Sequence, residues 1–146
     1  MQELNFPSYS FRIKSSENKT LIFDIIRKKY VILTPEEWVR QHVILFLIEE
    51  KKYPVSLIAV EKQLKINSLS KRTDVVVFNR KGTPEILIEC KAPTVAINQQ
   101  TFDQIARYNL TAKSNYLMVT NGLNHYFCQI DFEKETYIFL KDIPNY

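Results

Sequence analysis

Glycine is nearly missing: Gly82 and Gly122 are the only two in 146 residues. A chain with so little need of left-handed backbone builds long regular elements rather than a loop-rich scaffold. Cysteine is as scarce. Cys90 and Cys128 form no C-x-x-C pair and sit inside strand-like runs, which excludes a disulfide framework and a thiolate zinc site and suggests buried thiols in a reducing compartment. The longest apolar run, Val43 to Ile48, falls far short of the ~20 residues that a bilayer helix needs. The opening MQELNFPSYSFRIK has no apolar core of a secretory signal, so the cytoplasm is the expected location, away from any membrane. His42 and His125 stand apart with no metal-ligand partners near them in sequence, and read as core or surface histidines. There is no Gly-rich phosphate loop, no G-x-S-x-G and no internal repeat, so no ATPase motor is encoded.

What remains is an ordinary globular composition, 45% hydrophobic and 25% charged. The length suits a single domain, residues 1–146, with a real core. A net charge of +4 and a pI near 9.0 mildly favour an anionic partner such as nucleic acid.

The most informative stretch is Thr73 to Pro93, TDVVVFNRKGTPEILIECKAP. Two runs rich in Val and Ile flank a polar break at Arg80, Lys81 and Gly82, the pattern of an antiparallel hairpin. Residues equidistant from the turn centre oppose each other, so a turn centred between Lys81 and Gly82 sets Asp74 opposite Glu89, with Cβ atoms about 5 Å apart. Lys91 shares the face of Glu89, Val76, Phe78 and Leu87, while Val75, Val77, Ile86, Ile88 and Cys90 make an uncharged opposite face. Two carboxylates so close repel unless a cation sits between them. A hard divalent ion, Mg²⁺ or Mn²⁺, suits oxygen ligands, and Lys91 beside it would orient or deprotonate a bound water or neutralise a phosphate. The competing account is a solvated hairpin end with an ordinary ion pair.

Along the chain, Tyr9 to Ile13 and Leu21 to Ile26 read as short strands about a polar turn at Ser15 to Asn18, forming an N-terminal region to about residue 30. Arg27-Lys28-Lys29 reads as a solvated turn. Thr34-Pro35-Glu36-Glu37 opens a helix to about Lys51, with Thr34 as N-cap, Pro35 at the first helical position and Glu37 completing a capping box. That helix is apolar on most of its circumference, which predicts neighbours on more than one side. Val55 to Ile66 reads as a strand. Lys62, Lys65, Lys71 and Arg72 then precede Asp74, either as a phosphate-contacting rim or as a solvated edge. A second helix is expected from Asn98 or Gln99 to Lys113, burying Phe102, Ile105, Ala106 and Leu110, with Gln100, Gln104 and Tyr108 on a neighbouring row. Tyr116 to Thr120 reads as a strand ending at Asn121-Gly122, followed by strands His125 to Asp131 and Thr136 to Leu140.

Asp74 followed by Glu89-Cys90-Lys91 resembles the D…(D/E)xK signature of the PD-(D/E)xK nuclease superfamily. The surrounding Arg72-Thr73-Asp74-Val75-Val76-Val77, Ile88-Glu89-Cys90-Lys91-Ala92-Pro93 and Thr120-Asn121-Gly122 resemble the N-terminal nuclease domain of type I restriction enzyme R subunits. Glu36 or Glu37 with Arg40-Gln41 is similar to that family's helix glutamate pattern, Glu37 being preferred because it stacks over Gln41. Gln104 to Tyr108 matches its Q-x-x-x-Y element. The resemblance covers roughly residues 30–125 and implies a restriction-endonuclease-like αβββαβ core: an α/β fold with a mixed central sheet flanked by helices, followed by C-terminal strands over 125–146. It implies a Mg²⁺-dependent (or Mn²⁺-dependent) DNA endonuclease leaving a 5′-phosphate. Asp74, Glu89 and the backbone carbonyl of Cys90 would hold the metal, Lys91 would serve the attacking water or the scissile phosphate, and Glu37 would assist. Gln104, Tyr108, Lys62, Lys71 and Arg72 would contact DNA. Restriction-modification or helicase subunits are the implied further partners, with room for a homo-oligomer. The R-subunit motor domains have no counterpart here, so ATP-dependent restriction by this chain alone is not expected. A non-catalytic DNA-binding or protein-interaction module on the same fold stays open, as does an unrelated α/β protein with a chance E-x-K.

Overall fold

A computed structural model describes residues 1–66 and 69–146, and within strands the side chains of Gln63, Lys65, Ile66 and residues 69–71 lie outside the description. The elements run β1 (Ile13–Ser16), β2 (Lys19–Asp24), β3 (Lys29–Ile32), α1 (Pro35–Leu45), β4 (Ile58–Ile66), β5 (Leu69–Phe78), β6 (Pro84–Cys90), α2 (Gln99–Ala112), β7 (Tyr116–Thr120), β8 (His125–Asp131) and β9 (Thr136–Leu140). The first three strands form an antiparallel sheet, and β4 to β9 form a six-stranded sheet in sequential order. Every pair in the larger sheet is antiparallel except β6–β7, which runs parallel because α2 carries the chain back across. The fold is therefore α/β with a mixed central sheet. No helix among the described residues is long and apolar enough to cross a membrane.

Strict alternation in the hairpin strands fills both faces of this sheet. Val75, Val77, Ile86, Ile88 and Cys90 bury against Val39 and Val43 of α1 and Leu47 just beyond its end. Val76 and Leu87 join Leu117, Val119 and Cys128 beneath Phe102 and Ala106 of α2. Asn109 is also buried on α2, its amide donating to the Ile105 carbonyl at 3.1 Å. Both cysteines are buried free thiols. Burial pushes the Cys128 thiol up to about 12, so it is no nucleophile at neutral pH.

Helix α1 starts where the capping residues place it. Thr34 Oγ1 accepts from the Glu37 N–H at 3.0 Å and Pro35 takes the first turn. It continues through a wider π-type turn at Phe46–Glu50. Its burial is nearly all round, from Glu37 through Ile44, because the central sheet covers one side and the N-terminal segment the other. Phe6, Tyr9 and Phe11 pack on Trp38 and His42, and the Trp38 indole N–H donates to the Gln2 carbonyl at 2.7 Å.

The N-terminal strands differ from the sequence expectation. Tyr9 and Phe11 bury rings against α1 instead of pairing as a strand. The hairpin lies further on, turned by Glu17 and Asn18 at φ 52° and 64°, a mirror-image turn made without glycine. Strand β2 stops at Asp24, whose Oδ1 accepts from the Ile26 and Arg27 N–H groups at 2.7 and 2.8 Å and so turns the chain into the unanticipated β3. At the other strand start, a 3₁₀ turn at Val55–Leu57 delays β4 to Ile58.

Gly122 has both a reason and a test. Its φ is +87°, and a Cβ there would meet Leu4 Cδ2 at 2.9 Å and Val39 Cγ2 at 3.0 Å. Gly82 has a similar φ, +83°, with nothing within 4 Å. Left-handed backbone costs an L-residue about 1–2 kcal/mol, and crowding a well-filled core adds about 1–3 kcal/mol. Gly122→Ala is therefore expected to lower the melting temperature more than Gly82→Ala, at about 2–4 °C per kcal/mol. Equal losses on thermal melting would show that Leu4 and Val39 simply move aside.

Candidate active site

The register of β5 and β6 pairs Val75 with Ile88, Val76 with Leu87 and Val77 with Ile86. One step further along that ladder lie Asp74 and Glu89. Asp74 is fixed by two elements: Oδ2 accepts from the Cys90 N–H of β6 at 2.8 Å, and Oδ1 from Arg40 Nη2 of α1 at 3.3 Å. Lys91 follows on the same strand end, its N–H donating to the Thr120 carbonyl of β7 at 2.8 Å. Beyond β6, burial and Glu89 both raise the pKa of Tyr108, which places the α2 phenol within electrostatic reach of that carboxylate. Burial first, then Asp74, with Arg40 opposing and Glu89 and Glu36 adding, holds the Cys90 thiol well above its ordinary range.

Glu37 is buried, and its carboxylate does not close the capping box back onto Thr34. It accepts from Arg40 Nη1 at 2.7 Å, from Arg27 Nη2 at 3.0 Å to each oxygen, and from Gln41 Nε2 at 3.0 Å. Arg27 Nε and Gln41 Nε2 in turn donate to Asp24 Oδ2 at 2.7 and 3.0 Å. An alternating string results, Asp24–Arg27–Glu37–Arg40–Asp74, running from the N-terminal sheet through α1 to the hairpin. The two candidate glutamates are distinct in it: Glu36 is exposed and 3.8 Å from Arg40, whereas Glu37 lies inside. Within the string, Arg40 Nε is buried with no hydrogen-bond partner among the described residues.

Three members went unread in the sequence, and Asp24 is the first, lying inside an expected strand. Arg27 belongs to this string rather than to a solvated turn. Glu61 of β4 pairs with Arg27 Nη1 at 3.3 Å and falls between the Val60–Val75 and Lys62–Thr73 pairs of the β4–β5 register, with φ at +53° in mid-strand. Backbone strain of that kind in a non-glycine residue gathers at functional sites. Arg72 is exposed and 3.8 Å from Glu61, Lys62 and Gln104 are exposed, and Tyr108 is half-buried. The Lys65 and Lys71 side chains lie outside the described residues.

The donors gathered here are oxygens, as a hard cation requires. Among the described residues no three His, Cys, Asp or Glu side chains form a metal cage. Mg²⁺ ordinarily keeps several waters and is held by one or two carboxylates with substrate phosphate. Asp74, Glu89 and a strand carbonyl fit such an ion.

Residues 35–144 match the family model described as the type I restriction enzyme R protein N terminus. The chain belongs to that family. Among solved structures, a fragment described as an HsdR subunit of a type I restriction enzyme from Vibrio vulnificus YJ016 is similar, at 17% identity and a TM-score of 0.50. The match covers 77% of this chain and 24% of that one, so this chain spans about a quarter of its length, and the likeness is one of fold. Among curated proteins none matches. The R-protein N-terminal family match begins at Pro35, so Asp24 and Arg27 anchor the site from outside the matched region.

Proposed function

We propose that this chain is a Mg²⁺-dependent DNA nuclease domain of a type I restriction-like system, built on a restriction-endonuclease-like core. The element order α1–β4–β5–β6–α2–β7 supports that core. The observation that supports the reading is the hairpin register, whose Val75–Ile88 pair leaves Asp74 and Glu89 one step further along, with Asp74 tied to the Cys90 amide. Asp74, Glu89 and the Cys90 carbonyl would hold the ion, which when bound would lower the pKa of a coordinated water and offset charge on the phosphate. Lys91 orients the water or neutralises the scissile phosphate. Glu37 holds Arg40, and Arg40 holds Asp74, so the helix glutamate acts here through a guanidinium. Gln104 and Tyr108 orient the DNA strand by hydrogen bonds that add no charge.

Calorimetric titration with Mn²⁺ is expected to give a saturable isotherm for the wild-type chain and none for Asp74→Ala. Identical isotherms would remove the metal site.

The Arg40–Asp74 pair favours a second reading, in which Arg40 is the standing counter-ion of Asp74 and the domain binds DNA without cutting it. Plasmid nicking in Mg²⁺ separates the two, because a binder leaves supercoiled DNA intact.

A further inference from the structure

We propose that the outward face of the N-terminal three-stranded sheet is a second DNA surface, one that grips the sugar–phosphate backbone of duplex DNA beside the hairpin site. The inward face is already occupied, with Ile22 and Asp24 at 0% exposure. Outward lie Leu21, Phe23 and Tyr30, half-buried, with Arg12 and Lys14 exposed above them. Arg12 extends the ladder opposite Phe23, whose N–H donates to the Arg12 carbonyl at 2.9 Å, so strand alternation puts Arg12 and Lys14 on one face.

Aromatic rings hold both cations. The Arg12 guanidinium lies 4.4 Å from the Phe23 centroid and 5.9 Å from that of Tyr30, and Lys14 Nζ lies 4.0 Å from the Tyr30 centroid. Neither cation is salt-bridged to a carboxylate among the described residues, whereas Arg27 and Arg40 are each neutralised by several. Cations fixed on ring faces have already given up much of the side-chain freedom that binding would otherwise remove. Their charge is left over for a polyanion.

Continuity with the hairpin site selects DNA as that polyanion. Arg27, in the turn that leaves β2, reaches Glu37 and Glu61, and exposed Lys28 and Lys29 follow it directly. The sheet is thus tied to the string that reaches Asp74, and Lys28 and Lys29 carry its positive charge to the turn where that string begins. This inference rests on the proposed nuclease reading for its choice of duplex, and it concerns residues that precede the family match.

The test is fluorescence anisotropy with a short labelled duplex in EDTA, across a series of salt concentrations. Arg12→Gln/Lys14→Gln is expected to weaken binding on the order of tenfold at low salt and to reduce the salt slope by about 2, one unit for each lost phosphate contact. Lys134→Gln/Lys141→Gln, at exposed lysines of the far hairpin, is expected to leave the slope unchanged, and thermal melts confirm that both variants fold. An unchanged slope in the Arg12/Lys14 variant overturns the inference. So does absence of duplex binding by the wild type, or equally effective competition by polyglutamate, which would reassign the face to an acidic protein partner. The Mn²⁺ isotherm of Asp74→Ala is independent of these outcomes, so the surface and the metal site fail separately.

Discussion

Replacing Lys91 with alanine is expected to slow Mg²⁺-dependent plasmid nicking by about 10²–10³-fold, the loss typical when one preorganised charge-stabilising group is removed. The Lys91 backbone is pinned to Thr120 of the neighbouring parallel strand, so the substitution leaves the β6 end in place. Asp74 is positioned by the Cys90 amide and Arg40, neither of which depends on the lysine side chain. Mn²⁺ binding should therefore persist in Lys91→Ala while turnover collapses. Nicked-circle formation followed over time on a gel, beside calorimetry of the same sample, reads both quantities. Wild-type nicking by the variant would strip Lys91 of any catalytic part, and joint loss of metal and activity would mark it as structural.

Removing the Arg27 guanidinium should have the largest effect on stability. Its side chain is 17% exposed, against 0% for Asp24 and 8% for Glu37, so Arg27→Ala leaves two buried carboxylates short of a partner. Breaking a buried pair from one side costs about 3–5 kcal/mol, equivalent to a melting temperature lower by roughly 10 °C for a domain near this size. The pH dependence gives this prediction its sign. Burial pushes the Asp24 carboxyl up, yet the Arg27 N–H, its guanidinium and Gln41 together hold it below the ordinary 3.8. In the wild type, that stabilisation is fully present above about pH 4 and fades as pH falls through the lower folded value. Without the guanidinium the carboxyl keeps the residue-27 N–H and Gln41 but loses its ion pair, so it titrates higher than in the wild type and acid costs the variant less. The gap in melting temperature between wild type and Arg27→Ala should therefore narrow from pH 7 to pH 4. A constant gap would mean that Asp24 is not the seat of the loss.

The hairpin was readable because β-branched alternation and a single polar break leave little choice of register: a one-residue slip would turn Val75 and Val77 out of the core. The start of α1 was readable because Thr34-Pro35 acts locally. Strands β8 and β9 were readable as a pair about the polar turn at Glu133-Lys134. The string through Arg27 was not legible, because ion pairs between residues distant in the chain leave no periodicity. Arg27-Lys28-Lys29 is a run of like charge in which one member turns inward and two do not. Glu37 shows the same limit, since a local cap explains its place in the sequence while tertiary partners claim its carboxylate. Nothing in the strand pattern around Glu61 announces a left-handed residue, and Glu17-Asn18 makes a turn that usually calls for glycine.

The Asp24-to-Asp74 string begins and ends on an acid, and with Glu61 on Arg27 its two arginines face four carboxylates. Acids therefore outnumber guanidiniums, and an uncompensated carboxylate is tolerated only where water reaches it. The sealed terminus is Asp24; the terminus that meets solvent is Asp74, at 22% exposure. The acid best placed to meet an arriving positive ion is thus the one at the hairpin end of the row, not the one sealed beneath the N-terminal sheet.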